Sequence, residues 1–275
     1  MTKLTLTLQP GIKERLDVSG LVPAQLLGKT QADIGKIRIP VNGKSKQALA
    51  DLFKIEGSPR TAKEIVLRGF KGQADHIGYG MTEGRLTVHG TCGDFLGHDM
   101  AGGNLVARGS VGRWAGRGMQ GGFLEIHGDA GDYLAGAFPG DVHGMREGII
   151  HVRGSAGERL GERMRRGIVV IDKDAGNYCG YKMLAGTIMV LGQTGQHTGT
   201  AMKRGTILLA EEPAGLPATF NECGFYEPAF LALLYRHLAS VSRQFKYLTD
   251  WPIDVLRIAG DAAVSGKGEI LLLQA

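Results

Sequence analysis

The chain has 275 residues, 43% of them hydrophobic, with 32 Lys plus Arg against 27 Asp plus Glu. That length holds one sizeable core with small flanking elements, and a formal charge of +5 favours an anionic partner only where the charge is clustered. No run approaches 18 apolar residues, Cys92, Cys179 and Cys223 show no CxxC spacing, and MTKLTLTLQPG lacks a cleavage-site pattern; no membrane span, secretory leader, zinc site or disulfide framework is expected, and a reducing cytoplasm is.

In chain order, LTLTL (4–8) predicts a strand, and VPAQLLGKTQADIGKIRIPVNG predicts short helices joined by turns and then a strand. EIVLRGFKGQADHIGYG (64–80) is a degenerate first copy of a repeat, with two extra residues. From Met81 the repeat is regular: M-x-x-G-x-[apolar]-x-[apolar]-x-G-x-x-G-x-x-x-G, beginning at Met81, Met100, Met119, Met145, Met164, Met183 and Met202. The spacings are 19, 19, 26, 19, 19 and 19. The apolar columns, Leu86 to Ile207 and Val88 to Leu209, stand two residues apart and so share one strand face.

A fixed period near 20 with strands and turn glycines predicts a solenoid. The expected fold class is all-β: a right-handed parallel β-helix of 19-residue glycine-rich coils, each stacked at about 4.8 Å on the last. It accounts for 44 glycines, more than twice the usual share of about 7%. Glycine supplies positive φ at corners and lets neighbouring backbones approach. Seven extra residues after the third coil, within GAFPGDVHG (136–144), predict a loop that leaves the stack. Lys173 and Ala135 replace corner glycines. FNECGFYEPAFLALLYRHLASVSRQF carries Phe230, Leu234, Leu238 and Val241 at helical spacing after Pro228, and GKGEILLL (266–273) predicts a final strand. The expected organisation is an α/β cap over 1–62, the repeats over 63–212, and a helix-and-strand cap over 213–275.

No GxSxG, HExxH or paired-carboxylate motif occurs, and no glycine loop has the strand–loop–helix setting of a phosphate site. His89, Arg108, His127 and Arg153 share a column just after the strand; it reads as a solvated face, or else as the lining of a groove. Phe95, Trp114, Tyr133, Tyr178 and His197 share another, interrupted by Arg159, which reads as packing or as a partner-binding stripe. Arg163, Arg165, Arg166, Lys182, Lys203 and Arg204 flank the column methionines, with Arg146 and Arg117 at the same corner of earlier coils. They form a basic ridge: a solvated face, or a site for a polyanion or acidic partner. No nucleic-acid motif accompanies it.

The G-x-x-G-x-x-x-G repeat resembles the C-terminal β-helix domain of the glutamate synthase large subunit. A wider resemblance lies in MRRGIVVIDKDAGNYCGYKMLAGTIMVLG, FPGDVHGM, LVPAQLLGK and AGDAAVSGKGEILL. These are similar to the C subunit of formylmethanofuran dehydrogenase, and above all to its bacterial relative in the formyltransferase/hydrolase complex of methylotrophs. That resemblance implies a non-catalytic subunit with no catalytically bound cofactor. The implied complex moves a formyl group from formyl-tetrahydromethanopterin to a methanofuran-type carrier and hydrolyses it to formate. The implied partners are an amidohydrolase-like zinc hydrolase subunit, a formyltransferase subunit and a further subunit, with no nucleic acid and no membrane. The carrier is expected to bear a polyglutamate tail, which the ridge could hold. The alternatives are the C subunit of a molybdenum or tungsten formylmethanofuran dehydrogenase, or a stand-alone β-helix acyltransferase-like enzyme.

Overall fold

The computed structural model describes residues 3–57 and 63–274; the expected boundary at residue 62 lies outside them. The chain is mostly β. Thirteen strands form one sheet, ordered Asn221–Tyr226, Val255–Gly260, Lys267–Leu273, Arg204–Leu209, then back through the repeats to Glu64–Lys71, Leu4–Leu8 and Phe53–Glu56. Every pairing from Leu4–Leu8 through the repeats to Lys267–Leu273 is parallel.

The repeat dictates this register. Leu86, Leu105, Leu124, Ile150, Val169, Ile188 and Ile207 are successive partners, so one unit lies directly over the same position in the next. The ladder extends beyond the repeats at both ends, to Ile65 and Leu4 on one side and Ile270 on the other. A second parallel ladder joins Val111, Ala130, Ala156, Ala175 and Thr194. All seven repeat methionines are fully buried among the Leu, Ile and Val columns. This arrangement is consistent with a β-helix-like fold.

Two glycine columns have distinct causes. Gly103 has φ +80, and its equivalents Gly84 and Gly122 have φ +82; a Cβ on Gly103 would lie 2.7 Å from Met81 Cε. The methionine of one coil thus fills the space that the glycine of the next leaves open. Gly112 has no unusual φ, but a Cβ there would sit 2.8 Å from the Gly93 carbonyl carbon, so close approach alone demands it. Side chains are also forced into left-handed backbone: Phe95, Trp114, Tyr133, Arg159, Tyr178 and His197 all have φ between 55 and 65. From Phe95 to Tyr178, each of these N–H groups donates to a carbonyl of the next coil, as Trp114 does to Asp132 at 3.0 Å, which holds the corner in this conformation. Ala135 keeps its glycine-like φ of +58 although it carries a Cβ.

The helix Ala229–Val241 and the 3₁₀ segment Arg243–Asp250 lie along the outer side of the sheet. Leu231, Tyr235, Leu238, Phe245 and Leu248 bury a second core against Ile149, Val170, Met189 and Leu208. Of the predicted apolar face, Leu238 is buried and Leu234 packs on this core, whereas Phe230 and Val241 are exposed and Leu231 and Tyr235 are buried instead. Both stripes satisfy helical spacing, and docking on the sheet selects between them.

Gly112→Ala tests the close approach. It should cost roughly 1–3 kcal/mol in urea unfolding, as overpacking does, while Gly20→Ala, where φ is ordinary and a Cβ would meet only the end of the Gln25 side chain at 3.3 Å, should cost less. Equal costs would contradict the packing assignment.

Candidate ligand and partner surfaces

The stacking register brings the predicted basic residues to one corner, in two groups. The first is engaged by the 136–144 insertion. Arg117 pairs with Asp141 at 2.6 Å, contacts His98 Nε2 at 2.7 Å and lies over the Phe138 ring at 5.0 Å. Arg163 donates to the Asp141 carbonyl at 2.9 Å, and Arg165 contacts His143 at 3.2 Å. The second group, Arg146, Arg166, Lys203 and Arg204, is exposed and forms no ion pair with a described residue. Lys182 lies between, its ammonium 4.7 Å from the Tyr181 ring centroid. Leu184 and Ala185 take the ridge positions of the coil between Arg165–Arg166 and Lys203–Arg204, so the ridge is interrupted there.

The insertion does not point away from the stack. Phe138 folds back over Trp114 and Phe95, with centroids 5.2 and 5.9 Å apart, and covers the aromatic column. That column is continuous: His76 stacks on Phe95, Phe95 on Trp114, Trp114 on Tyr133, and Tyr178 on His197. Arg159 completes it by cation–π contact with Tyr133 and Tyr178, and is pinned by Glu162 at 3.1 Å. His76 lies in the degenerate first copy, one 19-residue period before Phe95, a signal that sequence reasoning missed.

On the outer side of the sheet, Arg108, His127 and Arg153 come together as their shared column requires. Glu125 is 8% exposed and accepts from Arg153 Nε at 3.1 Å, with His127 Nε2 at 2.9 Å. Arg85 and Arg243 join this group in a pocket of about 430 Å³. Sequence reasoning missed both. Arg85 sits four residues before His89 on the same outward face, a signal that period-two alternation carries. Arg243 arrives through docking of the C-terminal segment and has no local signal. A second groove of about 700 Å³ runs beside it over bare glycine backbone and is flanked by Glu147, Arg166 and His237.

Among the described residues, no cluster of three or more potential metal ligands occurs, and no helix is long and apolar enough to cross a membrane. Burial pushes the Cys92 and Cys179 thiols up to about 12, so neither is a thiolate nucleophile near neutral pH.

Burial also lowers three histidines: His89, helped by Arg68 and Arg108; His98, helped by Arg117 and opposed by Asp99; and His127, helped by Arg153 and Arg108 and opposed by Glu125. The Arg153 hydrogen bond and neighbouring cations hold the Glu125 carboxyl low despite its burial. The unfolded chain therefore binds protons on these histidines before the folded chain does, and stability falls as pH drops through the ordinary 6.5. Thermal melts should show a falling Tm from about pH 7.5 to 5; a flat or rising Tm over that range would contradict these assignments.

A sequence model described as the GXGXG motif matches residues 136–224. The C subunit of the formyltransferase/hydrolase complex Fhc of Methylorubrum extorquens is 36% identical over 91 residues, which is 32% of this chain and 32% of that relative. The alignment with this curated relative thus spans about a third of its length. The likeness in three dimensions is far more extensive. A chain in the X-ray crystal structure of the formyltransferase/hydrolase complex (FhcABCD) from Methylorubrum extorquens, in complex with methylofuran, is 34% identical with a TM-score of 0.89. The superposition covers 98% of this chain and 100% of that one. With nearly the whole of both chains covered at this identity, the chain belongs to the C-subunit family of the formyltransferase/hydrolase complex, a family of subunits of an enzyme assembly.

Proposed function

We propose that this chain is a non-catalytic structural subunit of a formyltransferase/hydrolase complex, built as a right-handed parallel β-helix with caps over 1–62 and 213–275. In this reading the assembly transfers a formyl group from formyl-tetrahydromethanopterin to a methanofuran-type carrier and hydrolyses it to formate. An amidohydrolase-like zinc hydrolase subunit, a formyltransferase subunit and a further subunit supply the chemistry, and the chain works in the cytoplasm. The observation that carries the reading is the end-to-end likeness to a chain of the complex solved with methylofuran. Its support from this chain is physical. The interior is filled by methionine and aliphatic ladders, and both buried thiols are held protonated.

The ridge gives the scaffold a specific task. Arg165 and Arg166 project from neighbouring positions of one coil, with Arg146 one rung below and Lys203 and Arg204 two rungs above. Rungs about 4.8 Å apart place their charges at intervals that a flexible polyanion can follow. In this reading the exposed group, Arg146, Arg166, Lys203 and Arg204, holds the carrier's polyglutamate tail. Arg117, Arg163 and Arg165 keep the insertion folded against the corner, and Lys182 continues the positive surface between the two groups.

Affinity purification from the native host at low salt should recover an amidohydrolase-like chain and a formyltransferase in stoichiometric amounts; recovery of the chain alone and folded would contradict the scaffold role. Arg166→Glu combined with Arg204→Glu should weaken binding of a polyglutamate-bearing carrier, and more so at about 0.05 M salt than at about 0.5 M, because exposed charges are screened. Unchanged affinity at both salts would remove the ridge from the account.

A further inference from the structure

We infer that the outer side of the sheet holds a second binding site, distinct from the ridge, that takes a small multiply charged oxyanion between Arg85, Arg108, Arg153 and Arg243. It uses none of the ridge residues and does not depend on the carrier reading.

The four guanidinium groups come from four segments: the start of the strand Arg85–Thr91, the residue after Asn104–Ala107, the residue after Glu147–Val152, and the first residue of Arg243–Asp250. All line one pocket of about 430 Å³. Glu125 is the one carboxylate among the described lining residues. It is already engaged by Arg153 and His127. Arg85, Arg108 and Arg243 form no ion pair with a described residue. The basic column continues beyond the pocket, since Arg68 pairs in register with His89, next to Arg108.

Guanidinium groups stay charged at every relevant pH, so gathering four around one neutralised carboxylate costs energy unless an anion answers them. Their planar forks match carboxylate and phosphate oxygens in pairs. The setting strengthens such contacts. Phe123 and Val241 form an apolar wall, and Asn104 and Gln244 add neutral polar groups at the rim. The pocket also shares Asn104, Phe123 and Val241 with the 700 Å³ groove, so the remainder of a ligand larger than one oxyanion has room to lie there. Carboxylates and phosphates share this chemistry, and the test separates them.

The test is titration calorimetry of the full chain at low salt, with citrate in one arm and pyrophosphate in the other. One-to-one binding of at least one probe is expected, and the tighter arm identifies the ligand as a carboxylate or a phosphate. Arg108→Ala with Arg243→Ala should weaken it by about tenfold or more, the scale of charge-assisted hydrogen bonds. Lys203→Ala with Arg204→Ala should leave it unchanged. Circular dichroism checks the fold of each variant. Should the double variant unfold, Arg243→Gln alone, exposed and outside the coils, should still cause a several-fold loss. Absence of stoichiometric binding in both arms, or an equal loss from the ridge variant, would overturn the proposal.

Discussion

The structure depends on one constraint: each backbone segment must hydrogen-bond to the segment one repeat later without any side chain between them. Parallel strands stack at about 4.8 Å, which leaves no room for a Cβ where two coil corners touch. At Gly112 the carbonyl carbon of Gly93 already occupies that space, and at Gly103 the Met81 methyl does. The glycine and methionine columns are therefore two halves of one packing solution. The same constraint extends past the repeats, because Leu4–Leu8 and Lys267–Leu273 add parallel rungs at either end of the ladder.

Stacking also converts sequence columns into surfaces. Residues 19 apart become neighbours, so a column of rings becomes a continuous stack and a column of arginines becomes a positive strip. The chain tolerates this where counter-groups exist. Asp141 answers Arg117, Glu162 answers Arg159, and Glu125 answers Arg153. It leaves charge unanswered at the exposed part of the ridge and in the outer pocket. Under the proposed function, those two places are where the chain meets other molecules.

Much of this was legible in the sequence because the repeat is strict. The period sets which residues are neighbours, which side chains point inward, and where the insertion enters. Three things were not legible. The left-handed corner at Trp114 and its equivalents is occupied by side chains rather than glycine, so composition gives no sign of it. The helix carries two overlapping apolar stripes, and only the outward residues Ile149, Val170 and Met189 decide that Leu231 and Tyr235 face the sheet. Arg243 reaches the outer pocket through that docking, and Asp141 reaches Arg117 through the fold-back of the insertion. Both are tertiary events that join a segment outside the period to residues within it.

The central claim is that function resides on the surfaces that stacking creates, while the interior serves only to hold them in register. The most direct test is the structure of the complete assembly isolated with its carrier, by electron cryomicroscopy. The account predicts partner or carrier atoms in contact with Arg166 and Arg204, and an interior whose methionine ladder is unchanged. Ligand density between the coils, or a ridge left facing bulk solvent in the loaded assembly, would contradict it.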